Sequence, residues 1–155
     1  MDNQTGTLIG IYTAPSSGRP LREQAEGRLV AGQGLEGDRY FGRPGGVISL
    51  IETEAIERFN LDHGTGVTAP ETRRCLLTQG VALNPLVGKT FWINGIELEG
   101  MELCDPCAKL GQDLETETVS AAAVVRGFRV SGGLRAYVRG SGDIAPGDAI
   151  TLSTE

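Results

Sequence analysis

The stretch Thr90-Phe91-Trp92-Ile93-Asn94-Gly95-Ile96-Glu97-Leu98-Glu99 carries the clearest local signal in the sequence. An Asn-Gly pair between two β-rich runs is the preferred sequence of a type I′ hairpin turn, because both central residues of that turn take positive φ. We therefore predict a β-hairpin over this stretch. Its second strand should continue through residues 98–103 toward Cys104.

Other short apolar runs, separated by turn signals, predict further strands. They cover residues 7–12, about 26–30, 71–78, 135–139 and 149–152, the last following a turn at Pro146-Gly147-Asp148. About eight short strands at close turn spacing favour a closed or nearly closed β-barrel. We expect one domain over residues 6–152, preceded by a disordered tail over residues 1–5.

Two short helices are expected within this mainly β fold. Ser49 and Glu52 form an S-x-x-E capping box, and apolar residues follow at helical spacing, which predicts a helix over residues 51–59 that ends near Asn60. Residues 115–126 have weaker helical character, and Gly127 is a suitable residue after a helix end. Residues 47–51 alone also fit a buried strand. His63, the only histidine, is expected in a polar loop as a solvated residue.

Composition excludes several classes of function. The chain of 155 residues has a net charge of −6, so no global positive field favours nucleic acid or an anionic membrane. A local anion site built from a few arginines remains open. The N-terminus lacks a basic and an apolar region of the kind found in secretory signals, and no apolar run approaches a membrane span. Three cysteines do not make a disulfide framework, so the cytoplasm is the expected compartment.

A glycine-dense run contains Gly34-Leu35-Glu36-Gly37-Asp38-Arg39-Tyr40. It is neither a Walker loop nor a dinucleotide-binding G-x-G-x-x-G before a helix. Its spacing alone favours a loop whose glycines take positive φ.

The corner Cys104-Asp105-Pro106-Cys107 is the strongest candidate for chemistry. A thiolate can be a nucleophile, a soft metal ligand or a redox centre, and Pro106 stiffens the chain before Cys107. A structural zinc site lacks partners, since only Cys75 and His63 remain. A thioredoxin-type dithiol would open a helix, whereas this motif follows a hairpin. Buried structural cysteines remain an alternative, above all for Cys75 in its apolar strand.

Five pieces of sequence, in order, resemble the MOSC family, which is related to the C-terminal part of molybdenum cofactor sulfurase. They are Gly34-Leu35-Glu36-Gly37-Asp38-Arg39, Arg73-Arg74-Cys75-Leu76-Leu77-Thr78-x-Gly80, Cys104-Asp105-Pro106-Cys107, Gly132-Gly133-Leu134-Arg135-Ala136-x-Val138 and Gly147-Asp148. The resemblance covers nearly the whole chain and implies a β-barrel-like fold. One departure is Cys75, where many relatives have asparagine.

This resemblance implies that Cys107 is the family-defining cysteine. It would ligate molybdenum of a bound molybdopterin cofactor, as catalytic and metal-binding residue, or carry sulfur as a persulfide. The first role implies reduction of N-hydroxylated or N-oxide small molecules, with an external electron donor because the chain has no ferredoxin-type cysteine cluster. The second implies a pyridoxal-phosphate cysteine desulfurase as partner in cofactor or cluster maturation. A non-catalytic ligand-binding barrel is the third hypothesis.

Cations suit the phosphate tail of such a cofactor. The candidate cofactor-binding residues are Arg73, Arg74, Arg39, Arg135 and Asp38. The alternative is that the arginines pair with some of the 20 acidic residues. Asp38 could orient an arginine or cap a turn.

Overall fold

The computed structural model describes residues 4–104 and 132–152. The strands are β1 (Gln4–Thr13), β2 (Arg22–Gln24), β3 (Gly27–Val30), β4 (Gly34–Leu35), β5 (Val47–Glu52), β6 (Leu76–Gln79), β7 (Thr90–Ile93), β8 (Ile96–Leu103), β9 (Leu134–Val138), β10 (Gly142–Ile144) and β11 (Ala149–Thr151). Helix α1 spans Thr53–His63, and short 3₁₀ helices span Ala69–Thr72 and Asn84–Leu86.

Seven of these strands close into a barrel in the order β11-β7-β8-β9-β5-β6-β1, since β1 also pairs with β11. All neighbouring pairs are antiparallel except β5 and β6, which run parallel, and the chain segment that connects them contains α1. Strand β2 extends the sheet from β1, and β10-β3-β4 form a separate three-stranded sheet. The predicted mainly β, barrel-like fold is confirmed.

The hairpin forms as predicted from Asn-Gly. Ile93 pairs with Ile96, so the turn has two residues, and Asn94 and Gly95 have φ of 50° and 76°. Both angles are positive, as a type I′ turn requires. Side chains along β8 point alternately to the two faces of the sheet, so Ile96 and Leu98 are buried and the intervening positions are more exposed.

The barrel interior is filled by large apolar side chains from every strand of the closed sheet. The largest fully buried ones include Phe91, Leu8, Ile11, Leu50, Leu76, Ile93 and Leu98. The barrel interior is therefore a packed hydrophobic core. Burial of each such side chain contributes about 1.5–3 kcal/mol to the free energy of folding. A second cluster forms where Ile56 and Phe59 of α1 pack on Ile51 and Leu77.

The predicted start and end of the first helix were wrong. Residues 47–52 form β5, so the strand alternative holds there, and the helix begins at Thr53. Glu52 is the N-cap residue and makes no side-chain capping bond; its carboxylate instead accepts from the Leu83 N–H at 3.3 Å. Pairing of β5 with β6 and β9 outweighs the local capping signal, as tertiary context often does. The helix ends at His63, beyond the predicted Asn60, and is followed by the C-cap residue Gly64 with φ of 63°.

His63 lies in the last turn of α1 instead of a solvated loop. Its ring is 4.5 Å from that of Phe59, and its side chain is only partly exposed. Strand β1 begins at Gln4, which pairs with Thr151, so the expected tail overlaps β1. The predicted helix over residues 115–126 lies outside the described residues. Among the described residues, no helix has the length and apolar character needed to cross a lipid bilayer.

Candidate functional site: cysteines and arginines at one barrel end

The predicted site residues that the structure describes gather at one end of the barrel. Strand β8 ends at Leu103 and delivers Cys104, whose N–H donates to the Gly133 carbonyl at 2.8 Å. Arg135 follows in β9, opposite Glu102 of β8 and opposite Ser49 of β5. Cys107 lies outside the described residues, three positions after Cys104.

Cys104 is a free thiol, only 3% exposed. Burial raises its pKa, because a thiolate loses hydration in the interior. The positive charges of Arg74 and Arg135, with a hydrogen bond from the Arg135 side chain, act in the opposite direction and lower that pKa. The charge of Glu102 raises it again. The thiol therefore lies in a largely cationic environment.

The Arg74 side chain is held by two backbone carbonyl groups, one before β6 and one before β9. Its Nε–H donates to the Gly132 carbonyl at 2.8 Å, and its Nη1 donates to the Thr72 carbonyl at 3.4 Å. The next residue, Gly133, lies close to β5: its φ is 111°, and an added Cβ would collide with the Leu50 carbonyl. A guanidinium has five N–H donors, so these two bonds leave others for a ligand.

Arg135 is more open than Arg74. Its side chain is 52% exposed and its Nη1 lies 3.1 Å from Glu102 Oε1. Such a half-exposed pair contributes little to stability and leaves the guanidinium free to exchange partners. The alternative considered from the sequence, in which an arginine pairs with an acidic residue, thus occurs at Arg135, although half of its side chain stays exposed.

Asp38 and Arg39 form a buried ion pair. Arg39 Nη1 lies 3.1 Å from Asp38 Oδ1, and the side chains are 6% and 5% exposed. Asp38 also accepts from the N–H groups of Ala14 at 3.2 Å and Tyr40 at 3.4 Å. It thus both orients an arginine and caps a turn, the two roles considered from the sequence. The guanidinium of Arg39 stacks on the Tyr40 ring at 4.4 Å.

Apart from Gly34–Leu35, which form β4, the glycine-dense run is the loop that the sequence predicted. Gly34, Gly37, Gly42, Gly45 and Gly46 all have positive φ. Through this loop the backbone brings Asp38 and Arg39 against the segment that precedes β6. Arg39 Nη2 donates to the Arg73 carbonyl at 3.3 Å.

Arg73 has other partners than Arg74. Its Nη1 donates to the Arg19 carbonyl, and its backbone is left-handed, with φ of 67°. A non-glycine residue in this conformation ends the 3₁₀ helix Ala69–Thr72 and turns the chain into Arg74. Consecutive arginines therefore have different surroundings, which their adjacency in the sequence did not reveal.

Cys75 is buried, as expected for a structural cysteine, and 3% exposed. Its thiol donates to the Ser49 carbonyl at 3.0 Å, and its N–H donates to Ser49 Oγ at 3.1 Å. Burial raises the pKa of this thiol to about 11. Sequence analysis did not identify Ser49 as a partner of Cys75, because the capping pattern of Ser49 indicated a helix start. No signal in the sequence pairs Ser49 with Cys75.

Among the described residues, no group of three or more His, Cys, Asp and Glu could hold a metal ion. A cavity of about 310 Å³ lies next to the loop that leads to Asp38, and the residues that line it include Thr13, Arg22, Glu36 and Gly37. None of the residues predicted as site residues lines it.

The architecture is thus that of a closed β-barrel with a cysteine and two arginines at one end. The MOSC domain model matches residues 37–151, and the chain belongs to the MOSC domain family. No curated protein matches the chain in sequence.

Solved structures that share the fold include the following three. The YuaD protein of Bacillus subtilis is 20% identical, with 94% of this chain and 93% of that chain covered and a TM-score of 0.82. YiiM of Geobacillus stearothermophilus is 13% identical, with 97% and 74% covered and a TM-score of 0.66. YiiM of Escherichia coli is 17% identical, with 97% and 70% covered and a TM-score of 0.66.

Proposed function

We propose that this MOSC protein binds molybdenum cofactor through the thiolate of Cys107 and reduces N-hydroxylated or N-oxide small molecules with electrons from another protein. The observation that carries the proposal is the convergence of Arg74 and Arg135 on Cys104, where β8 leads into the Cys104–Cys107 corner. MOSC domains are generally associated with molybdenum cofactor. The free thiols of Cys75 and Cys104 are compatible with the cytoplasm as the compartment.

The described residues fit an anionic, sulfur-rich cofactor in part. Arg135 is half exposed, and Arg74 keeps donors beyond its two backbone bonds, so these two can bind phosphate oxygens. Arg39 is poorly suited to direct contact, because its guanidinium is buried against Asp38. Arg73 is directed to the Arg19 carbonyl. Of the candidate residues, Arg74 and Arg135 are therefore our proposed phosphate ligands.

In the proposed reaction, the N–O bond of the substrate breaks, and two electrons and two protons yield the reduced base and water. The bound cofactor would supply the two-electron chemistry. The chain supplies the Cys107 thiolate as a soft ligand, while Arg74 and Arg135 hold the phosphate and fix the orientation of the bound group. Their positive charge also favours the thiolate form of a nearby cysteine.

An activity assay tests the proposed reaction. Protein from cells that make the cofactor is incubated with an N-hydroxylated amidine and a reduced viologen dye as the electron donor. We expect amidine formation by the wild-type protein and none by Cys107→Ser. Equal rates in both would contradict the proposed role of Cys107. No bound molybdenum, no amidine formation and no added sulfur on Cys107 in the wild-type protein would favour a non-catalytic binding barrel.

A persulfide carrier in cofactor or cluster maturation is the second candidate function. The same two arginines support it, because a cationic environment lowers the pKa of a thiol and favours the nucleophilic thiolate. Incubation with a cysteine desulfurase and cysteine should then add one sulfur to Cys107, seen by peptide mass spectrometry. A protein that carries no molybdenum but gains this sulfur would favour transfer over reduction.

A further inference from the structure

We propose that Asp38 and Arg39 are positioning residues, which fix the guanidinium of Arg74 beside Cys104 by holding the backbone of Arg73. The inference deepens the proposed function, because it assigns two of the candidate cofactor-binding residues to a different task at the same site.

The first step is the burial of the ion pair. Asp38 and Arg39 are nearly inaccessible, and their bond of 3.1 Å is supported by the Ala14 N–H on Asp38 Oδ1. Buried charges are retained only when they are paired and hydrogen-bonded. A guanidinium so enclosed cannot meet a cofactor phosphate without breaking the pair. Its remaining donors are therefore available to the protein itself.

The second step is the bond from this pair to the next segment. Arg39 Nη2 donates to the Arg73 carbonyl at 3.3 Å. Arg73 has left-handed backbone, a conformation that costs a non-glycine residue free energy and persists only when neighbouring contacts enforce it. The N–H of Arg73 is also held, by the Pro70 carbonyl at 3.1 Å. The N–H and the carbonyl of Arg73 are thus both hydrogen-bonded, and the bond to the carbonyl comes from Arg39.

The third step leads from Arg73 to Cys104. The peptide whose carbonyl accepts from Arg39 carries the N–H of Arg74, so its orientation sets the start of the Arg74 side chain. Arg74 Nε–H then reaches the Gly132 carbonyl at 2.8 Å. Its charge acts on Cys104, whereas that of Arg39 is not among the causes of the Cys104 pKa shift. The bonded route from Arg39 to this site therefore runs through the Arg73–Arg74 peptide and the Arg74 side chain.

The test follows exchange of the Arg74 Nε proton by nitrogen-15 NMR in cofactor-free protein, with Arg74→Lys identifying the signal by its loss. Arg39→Lys keeps a positive charge beside Asp38 but lacks the planar fork that bonds both Asp38 and Arg73. We expect exchange of the Arg74 Nε proton to become about tenfold faster in this variant, as for loss of one hydrogen bond. Asp38→Asn, which weakens the hold on Arg39, should act in the same direction.

Arg139→Lys is the matched control, because Arg139 pairs with Glu99 at 3.6 Å on the surface, and its N–H donates to the Glu97 carbonyl near the start of β8, at the opposite end of that strand from Cys104. It should leave the Arg74 proton unchanged. An unchanged exchange rate in Arg39→Lys would overturn the positioning role. So would an equal acceleration of the backbone amides of β7, since that would show general loss of stability. Because the experiment uses cofactor-free protein, neither result depends on whether molybdenum binds.

Discussion

Cys75 and Cys104 lie near the same end of the barrel and are equally inaccessible, at 3% exposure each, yet their electrostatic surroundings differ. Cys75 is hydrogen-bonded to Ser49 and lies near the Asp38–Arg39 pair, whose opposite charges act on its pKa in opposite directions. Among the described residues, the charges that act on Cys104 are those of two arginines and of the partly exposed Glu102, which opposes them. Burial alone therefore does not separate a structural thiol from one beside a functional site; the neighbouring charges do.

The largest expected effect concerns the ion pair beside Cys75. Asp38→Ala removes the partner of a buried guanidinium, and we expect a loss of about 3–5 kcal/mol in the free energy of unfolding, measured with urea. Asp143→Ala is the control, because its pair with Arg28 is exposed and should contribute less than about 1 kcal/mol. Equal losses in the two variants would show that the pair near Cys75 is not a structural element.

The next expectation concerns the proton on Cys75. The folded protein raises the pKa of this thiol from 9.0 to about 11, so it binds the proton more tightly than the unfolded chain does. The resulting stabilisation is fully present below pH 9 and is lost as the pH rises through 11. Its size is about 2–3 kcal/mol, from 1.36 kcal/mol per pKa unit.

Urea unfolding of the wild type and of Cys75→Ser, from pH 8 to pH 11.5, measures this term. The difference between the two should shrink as the pH rises, because only the wild type has the thiol. A constant difference would contradict the assignment of Cys75 as a buried, protonated thiol.

A smaller effect is expected at the backbone that holds Arg74 beside Cys104. Gly133→Ala places a side chain at φ of 111° and against the Leu50 carbonyl, which costs about 1–3 kcal/mol from backbone strain alone. Gly95→Ala in the hairpin, at φ of 76° with open space around the new Cβ, is the control. We expect Gly133→Ala to cost more and to displace Arg74 Nε from Gly132, seen in its NMR signal. Equal costs with an unchanged Arg74 signal would argue against this close approach.

The smallest expected effect concerns the charge balance at Cys104. Glu102→Gln removes a half-exposed partner of Arg135, so stability should change by less than about 1 kcal/mol. The pKa of Cys104 should fall, because the charge of Glu102 raises it. Carbon-13 shifts of the labelled Cys104 side chain against pH measure this change. A rise in that pKa would show that Glu102 acts mainly by holding Arg135 in place.

Much of the fold could be predicted from the sequence, because the deciding signals are local. Asn94-Gly95 needs two positive φ angles, and the alternation along β8 needs one buried face; neither depends on distant residues. The start of α1 could not be predicted in this way. Ser49 carries a capping pattern, but its position in β5 is set by pairing with β9, which lies more than eighty residues along the chain.

The site was predicted as a set of residues and not as an arrangement. Resemblance to the family selected Arg39, Arg73, Arg74 and Arg135, but adjacent arginines point to different partners once the chain turns at Arg73. Whether an arginine is free or enclosed depends on long-range contacts, such as that of Asp38 with Ala14. The sequence pattern does not indicate these long-range contacts.

Molybdenum analysis of three single substitutions tests the central claim most directly. Cys75→Ser, Cys104→Ser and Cys107→Ser are purified from cells that make the cofactor, and each is compared with the wild type after circular dichroism has shown it to be folded. We expect near-stoichiometric molybdenum in the wild type and in Cys75→Ser, a reduced content in Cys104→Ser, and none in Cys107→Ser. Molybdenum retained by folded Cys107→Ser, or absent from the wild type, would contradict cofactor binding through Cys107.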